Sequence, residues 1–188
     1  VGEKVGIETF FGIEVRSLVE LRKACKLRVR ERNFDVLLVS GGNLNLNRNA
    51  LERAEVDILC HPEKGRRDSG INHILAKLAA KNRVAIEINF SEVLNREGKE
   101  RSRLLKFMRM NVRLARKYGA EIIVCSGARE KWELRDPYSL ISFLTLLGLE
   151  LKEAKACLSK VPRRIIEESL NRQRPEWIMP GVEVVKRW

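Results

Sequence analysis

Short apolar runs and longer amphipathic stretches take turns along this chain. FDVLLVS (residues 34–40), VDILC (56–60), VAIEINF (84–90) and IIVC (122–125) are nearly continuous in Val, Ile and Leu, as strands buried on both faces are. VGIETFFGIEV (5–15) reads as a further strand at the start. The intervening segments predict helices over residues 17–32, 47–54, 69–81 and 98–118, the last ended by Gly119. After residue 125 the alternation stops. Residues 138–147, 151–158 and 162–171 read as three successive helices, and the tail RQRPEWIMPGVEVVKRW (172–188) as irregular.

Strands and helices in alternation, with the strands apolar throughout, define a parallel sheet covered by helices. A strand every twenty to thirty residues or so suits a (β/α) barrel or a doubly wound sheet. A closed eight-unit barrel takes about 250 residues, and this chain has 188 and five good strands. It also opens at Val1, directly before a strand. The expectation is one α/β domain over residues 1–188, lacking one or two strand–helix units at its start. Residues 159–188 form a C-terminal helix and an irregular basic tail.

Charge narrows the function. The chain is 44% hydrophobic and 33% charged, so it folds, and 37 Lys and Arg against 25 Asp and Glu leave it at +12. That balance points to a polyanion, nucleic acid or an acidic membrane surface. No apolar run approaches the ~18 residues of a spanning helix, and nothing at the start resembles a signal peptide. Cys25, Cys60, Cys125 and Cys157 stand far apart with no CxxC pair. They read as buried, unpaired thiols of a reducing, cytoplasmic compartment.

Ligands of α/β sheets meet the loops after the strands. Here those are SGGNLN (40–45), HPEKGRRD (61–68), FSE (90–92) and SGAREKWELRD (126–136). Glycine turns beside basic residues suit phosphate, through backbone N–H groups and guanidinium forks. Taken singly, Gly41, Gly42, Gly65 and Gly127 are read as simple turns. A metal-dependent phosphoesterase is the enzymatic alternative, with His61 and His73 joined by Asp57, Asp68 or Glu87. It is short of ligands, because these are the only two histidines and no HxH pair occurs. Glu87, alone among apolar neighbours, also fits a salt bridge to Arg or Lys across the sheet. His73, one turn past a candidate N-cap at Ser69, is either an ordinary exposed histidine or a phosphate or base contact.

RSRLLKFMRMNVRLARK (101–117) carries seven Lys or Arg and no acid. At about 100° per residue, Leu104, Leu105, Met108, Val112 and Ala115 share the core arc. Arg103, Lys106, Arg109, Arg113, Arg116 and Lys117 share the opposite one. Like charges one turn apart repel, so an unmixed basic face favours a polyanion that neutralises it. The apolar edging a membrane surface needs is weak here, and nucleic acid is the better reading.

VDILCHPEKGRRDSGINHILAKLAAKNRVAIEINFSEVL (56–94) resembles the central signature of the archaeal ribonuclease P protein component 3 family, above all in GRRDSGINH. Residues 101–149 resemble that family's long helix, strand, Ser-Gly-Ala turn and Arg-x-Pro helix entry. The likeness is strongest over residues 35–158. It implies a TIM-barrel-like fold and a protein subunit of the ribonucleoprotein that removes 5′ leaders from precursor tRNA. It also implies that the RNA performs hydrolysis with Mg²⁺, the protein binding no cofactor of its own. The implied partners are ribonuclease P RNA, precursor tRNA, a small protein subunit (component 2) and other holoenzyme proteins, with no membrane. On this reading HPEKGRRDSGINH grips phosphate: Arg66 and Arg67 as forked donors, Asp68 orienting them or capping the helix, and His73 adding a donor. Arg48, Lys77, Lys81, Arg103, Lys106, Arg113, Lys117 and Arg135 complete the expected RNA-facing set, Arg135 having a pair with Glu133 as its alternative.

Overall fold

A computed structural model of the chain describes residue 6 and residues 8–30, 34–174, 176–179 and 182–185. Five parallel strands, β1 (Gly12–Val15), β2 (Val36–Ser40), β3 (Ile58–Cys60), β4 (Ala85–Asn89) and β5 (Ile122–Cys125), lie side by side in sequence order. Between them run α1 (Leu18–Arg30), α2 (Leu44–Leu51), α3 (His73–Asn82), the short α4 (Ser91–Leu94) and α5 (Gly98–Tyr118). Right-handed crossovers between successive neighbours put every connecting helix on the same face. That is barrel winding, and a doubly wound sheet is excluded. Among the described residues β1 and β5 do not pair, so the sheet is open, an incomplete barrel.

Strand alternation sorts the two faces. Val15, Leu37, Val39, Leu59, Ile86, Ile88, Ile122 and Val124 join the large core beneath the helices. Val36, Leu38, Ile58, Cys60, Ala85 and Ile123 point to the inner face. There Val161 and Ile165 pack against them, from the last of three helices that follow β5: α6 (Pro137–Leu146), α7 (Leu151–Leu158) and α8 (Lys160–Gln173). The side that a closed barrel fills with strand residues is thus covered here by a helix.

Several boundaries differ from expectation. The first strand begins at Gly12, with residues 8–11 outside it; positions 5 and 7 of that expected strand, and 31–32 of the first expected helix, lie outside the described residues. The helix expected from residue 69 begins at His73, because Asn72 caps it: Asn72 Oδ1 accepts the Leu75 N–H at 2.9 Å. Ser69 is buried and donates to Ile71 O instead. The tail is not irregular throughout. Trp177–Met179 (β6) and Val182–Glu183 (β7) pair antiparallel, in runs too short for their alternation to register as strands. Residues 175, 180–181 and 186–188 lie outside the described part.

Candidate nucleic-acid interface

The loop after β3 is held from two sides by buried asparagines. Asn47 of α2 donates to the carbonyls of Pro62 (2.9 Å) and Gly70 (3.0 Å), and its Oδ1 accepts the Gly42 N–H (3.0 Å), which ties in the loop after β2. Asn111 of α5 donates to Ser69 O at 2.9 Å and reaches Glu63 Oε2 at 3.5 Å. Neither asparagine was in the expected site set. Their signal was a polar residue inside an apolar helix arc: Asn111 stands beside Met108 and Val112 on the core side. Two glycines permit the fit. Gly70 has φ 72°, and a Cβ there would stand 1.8 Å from Pro62 O; at Gly42, with φ 102°, it would meet Lys64 O at 2.5 Å.

This packing takes up several backbone amides of the two glycine turns. The N–H groups of Gly42, Lys64, Arg66 and Gly70 all have partners within the two loops.

Arg66 folds inward. Its Nε and Nη2 donate to the two Asp68 oxygens at 2.6 and 2.7 Å, and Nη1 reaches Gly42 O at 3.4 Å. The Arg66 hydrogen bonds hold the Asp68 carboxyl below its ordinary range. Asp68 also accepts the Gly70 N–H at 2.8 Å, so it orients the loop and does not cap the helix. The fork expected for phosphate is therefore engaged inside the protein, and Arg67 is the exposed guanidinium of this loop.

The helices gather the other cations. His73, Lys77 and Lys81 recur one turn apart on the exposed side of α3. Lys77 Nζ and Lys117 Nζ lie 5.4 and 5.5 Å from the Tyr118 ring centroid, so α3 and α5 bring two ammonium groups to one aromatic ring. Arg103, Lys106 and Arg113 are exposed along α5 with Lys117. The α5 face is less unmixed than its sequence: Arg116 meets Glu150 and Glu153 at 2.6 and 3.0 Å. Arg48 is exposed and joined to Glu52 at 2.7 Å. Arg135 donates to Trp132 O (3.0 Å) and Leu134 O (2.7 Å) and lies over Phe90, closing the loop after β5. Glu133, its expected alternative partner, accepts the Arg129 N–H instead.

The metal-ligand set of the phosphoesterase reading is scattered. Asp57 lies at the opposite end of β3 on Arg28 and Arg172, Asp68 is held by Arg66, and His73 is exposed on α3. Among the described residues no three His, Cys, Asp or Glu side chains come together to hold a metal ion. Glu87 is buried on the inner face without the Arg or Lys partner expected for it. Cys125 Sγ donates to its Oε1 at 2.7 Å, and His61 Nε2 stands 3.8 Å from its Oε2. Burial, reinforced by the Glu87 charge, pushes the Cys60 and Cys125 thiols well up, so neither is a thiolate nucleophile. All four cysteines are free. Burial also raises the Glu63 carboxyl, to about 7.

A singly wound parallel sheet with cationic outer helices is the build of a barrel-type α/β protein. The model of the family described as RNase P subunit p30 matches residues 3–174, and the chain belongs to that family. Ribonuclease P protein component 3 of Methanocaldococcus jannaschii is 34% identical over 186 residues, 99% of this chain and 79% of that protein. The Methanosarcina mazei protein of the same name is 42% identical over 185 residues, 96% and 74% of the two chains. Among solved structures, a chain of archaeal ribonuclease P determined by cryo-EM with mature tRNA superposes with a TM-score of 0.85 at 36% identity, covering 99% of this chain and 80% of that one. The resemblance at residues 56–94 thus extends over nearly the whole chain.

Proposed function

We propose that this chain is an RNA-binding subunit of ribonuclease P, assisting the catalytic RNA in removing 5′ leaders from precursor tRNA. The observation that carries this reading is the 0.85 TM-score over 99% of the chain with a ribonuclease P subunit bound in a tRNA complex. The cation seam of Lys77 and Lys117 at Tyr118, with Arg67, His73, Lys81 and the exposed cations of α5, is the surface offered to RNA phosphates. Chemistry belongs to the RNA and its Mg²⁺; the protein neutralises backbone charge and positions the RNA. A small protein subunit, component 2, and other holoenzyme proteins are partners in this reading. Tyr138, 80% exposed on α6, a helix without charged residues, is offered to such a partner.

The test is reconstitution. Ribonuclease P RNA and the partner subunits are assayed for precursor tRNA cleavage at limiting Mg²⁺, with and without this chain. Cleavage that rises with the chain, while the chain alone cuts nothing, is expected. Cleavage by the pure chain that is lost in His61→Ala would return the phosphoesterase reading.

A further inference from the structure

Two hollows lie along the same flank of α5, and they share one wall. The first, about 440 Å³, is lined by Arg101, Ser102, Leu105, Lys106 and Arg109. The second, about 560 Å³, is lined by Arg109, Arg113, Arg116, Lys117, Leu146 and Gly148. Arg109 therefore stands between the two hollows, which follow one another along α5 as a groove divided at its middle. At 100° per residue, Ser102, Leu105, Arg109 and Arg116 fall on the flank of α5 facing α6, beside the exposed crest of Lys106, Arg113 and Lys117. Arg109 Nη2 donates to Leu146 O at 3.2 Å, which sets the groove's far wall. No acid occurs from residue 101 to 120. Acids close both ends: Glu97 and Glu100 at the start of α5, and Glu150 and Glu153 on Arg116.

Resting on the ribonuclease P reading, we infer that this groove is a track for one sugar–phosphate strand of RNA, with Arg109 as its central contact. Its charge selects a polyanion, and its length selects a chain over a single phosphate. The sixteen steps from Arg101 to Lys117 rise about 24 Å, a span that takes about seven phosphates at the stacked spacing of about 3.4 Å and fewer along a more extended strand. The apolar floor of Leu105, Val112 and Leu146 suits ribose faces between the phosphates. A compact anion would occupy one hollow and leave the other uncovered.

The experiment is a salt series of fluorescence anisotropy with the full chain and labelled oligouridylates of increasing length. For a single strand each phosphate contact contributes roughly 0.7 to the slope of log K against log salt. Arg109→Glu should weaken binding at least tenfold and lower the slope by about that amount or more. Lys106→Glu, at an exposed position on the adjoining crest, should act similarly and controls for loss of the Arg109–Leu146 contact. Affinity should climb with oligonucleotide length until the groove is filled. Unchanged slopes in both variants, with wild-type binding still salt-dependent, would overturn the track and leave the ribonuclease P reading standing. So would affinity independent of length, which marks single-phosphate sites. Absence of salt-dependent RNA binding by the wild-type chain would remove the reading beneath it as well.

Discussion

The two ends of the sheet handle buried polarity in opposite ways. At the N-terminal end, Asp57 and Arg28 are 4% and 8% exposed, and their groups are fully engaged. Arg28 bonds Asp57, the carbonyls of Glu55 and Asp35, and Ser169, while Asp57 also takes Arg172 at 2.9 Å and the Leu37 N–H at 2.8 Å. At the C-terminal end, among the described residues, the buried side-chain atoms without a hydrogen-bond partner collect: His61 Nδ1, Glu87 Oε2 and Asn111 Oδ1. His61 also has φ 47°, unusual for a side chain of its size. The closed network ties α1 and α8 to the strand starts and holds the fold. The open end, where barrel proteins place their working loops, keeps polar groups that folding alone would not favour.

Breaking the closed end should cost most. Asp57→Ala leaves two guanidinium groups without their carboxylate, and removing one partner of a buried ion pair costs about 3–5 kcal/mol. Urea unfolding should show the loss; a change under about 1 kcal/mol would mean that the network is incidental. The open end should instead respond to pH. Glu63 has its carboxyl raised from an unfolded value near 4.5 to about 7. The folded state therefore binds the proton more tightly, and stability present at acid pH is lost as pH rises through 7. The shift corresponds to about 3 kcal/mol. Glu63→Gln should flatten the pH profile of the urea midpoint and exceed the wild type in stability above neutrality. An unaltered profile would show that Glu63 stays ionised.

Smaller effects sharpen the contrast. Cys60→Ala removes inner-face packing and Cys125→Ala a thiol donor to Glu87, so each should destabilise by about 1–2 kcal/mol. Neither should alter RNA binding by folded protein. Lys77→Ala and Lys117→Ala should leave circular dichroism unchanged and each lower the salt slope of RNA binding by roughly 0.7–0.9. Equal slopes in both variants and wild type would take the Tyr118 seam out of the interface. Arg48→Ala should do least, since its side chain is exposed and already answered by Glu52.

Continuous apolar runs were enough to determine four of the five parallel strands, β2 to β5, because burial removes the polar alternation. Arg101–Lys117 was legible as a helix with a cationic side because helical period and charge are both local properties. The signature at residues 56–94 carried the family. The sequence could not show what each cation would meet. Arg66 turns to Asp68, Arg135 to backbone carbonyls and Arg116 to Glu150 and Glu153, the last across 34 and 37 positions. Nor did it show that Asn47 and Asn111 staple the loop after β3, or that Arg109 stands between two hollows. Whether a charge faces water, a neighbour or a ligand depends on which distant segments the sheet brings alongside, and that is settled by packing over the whole domain.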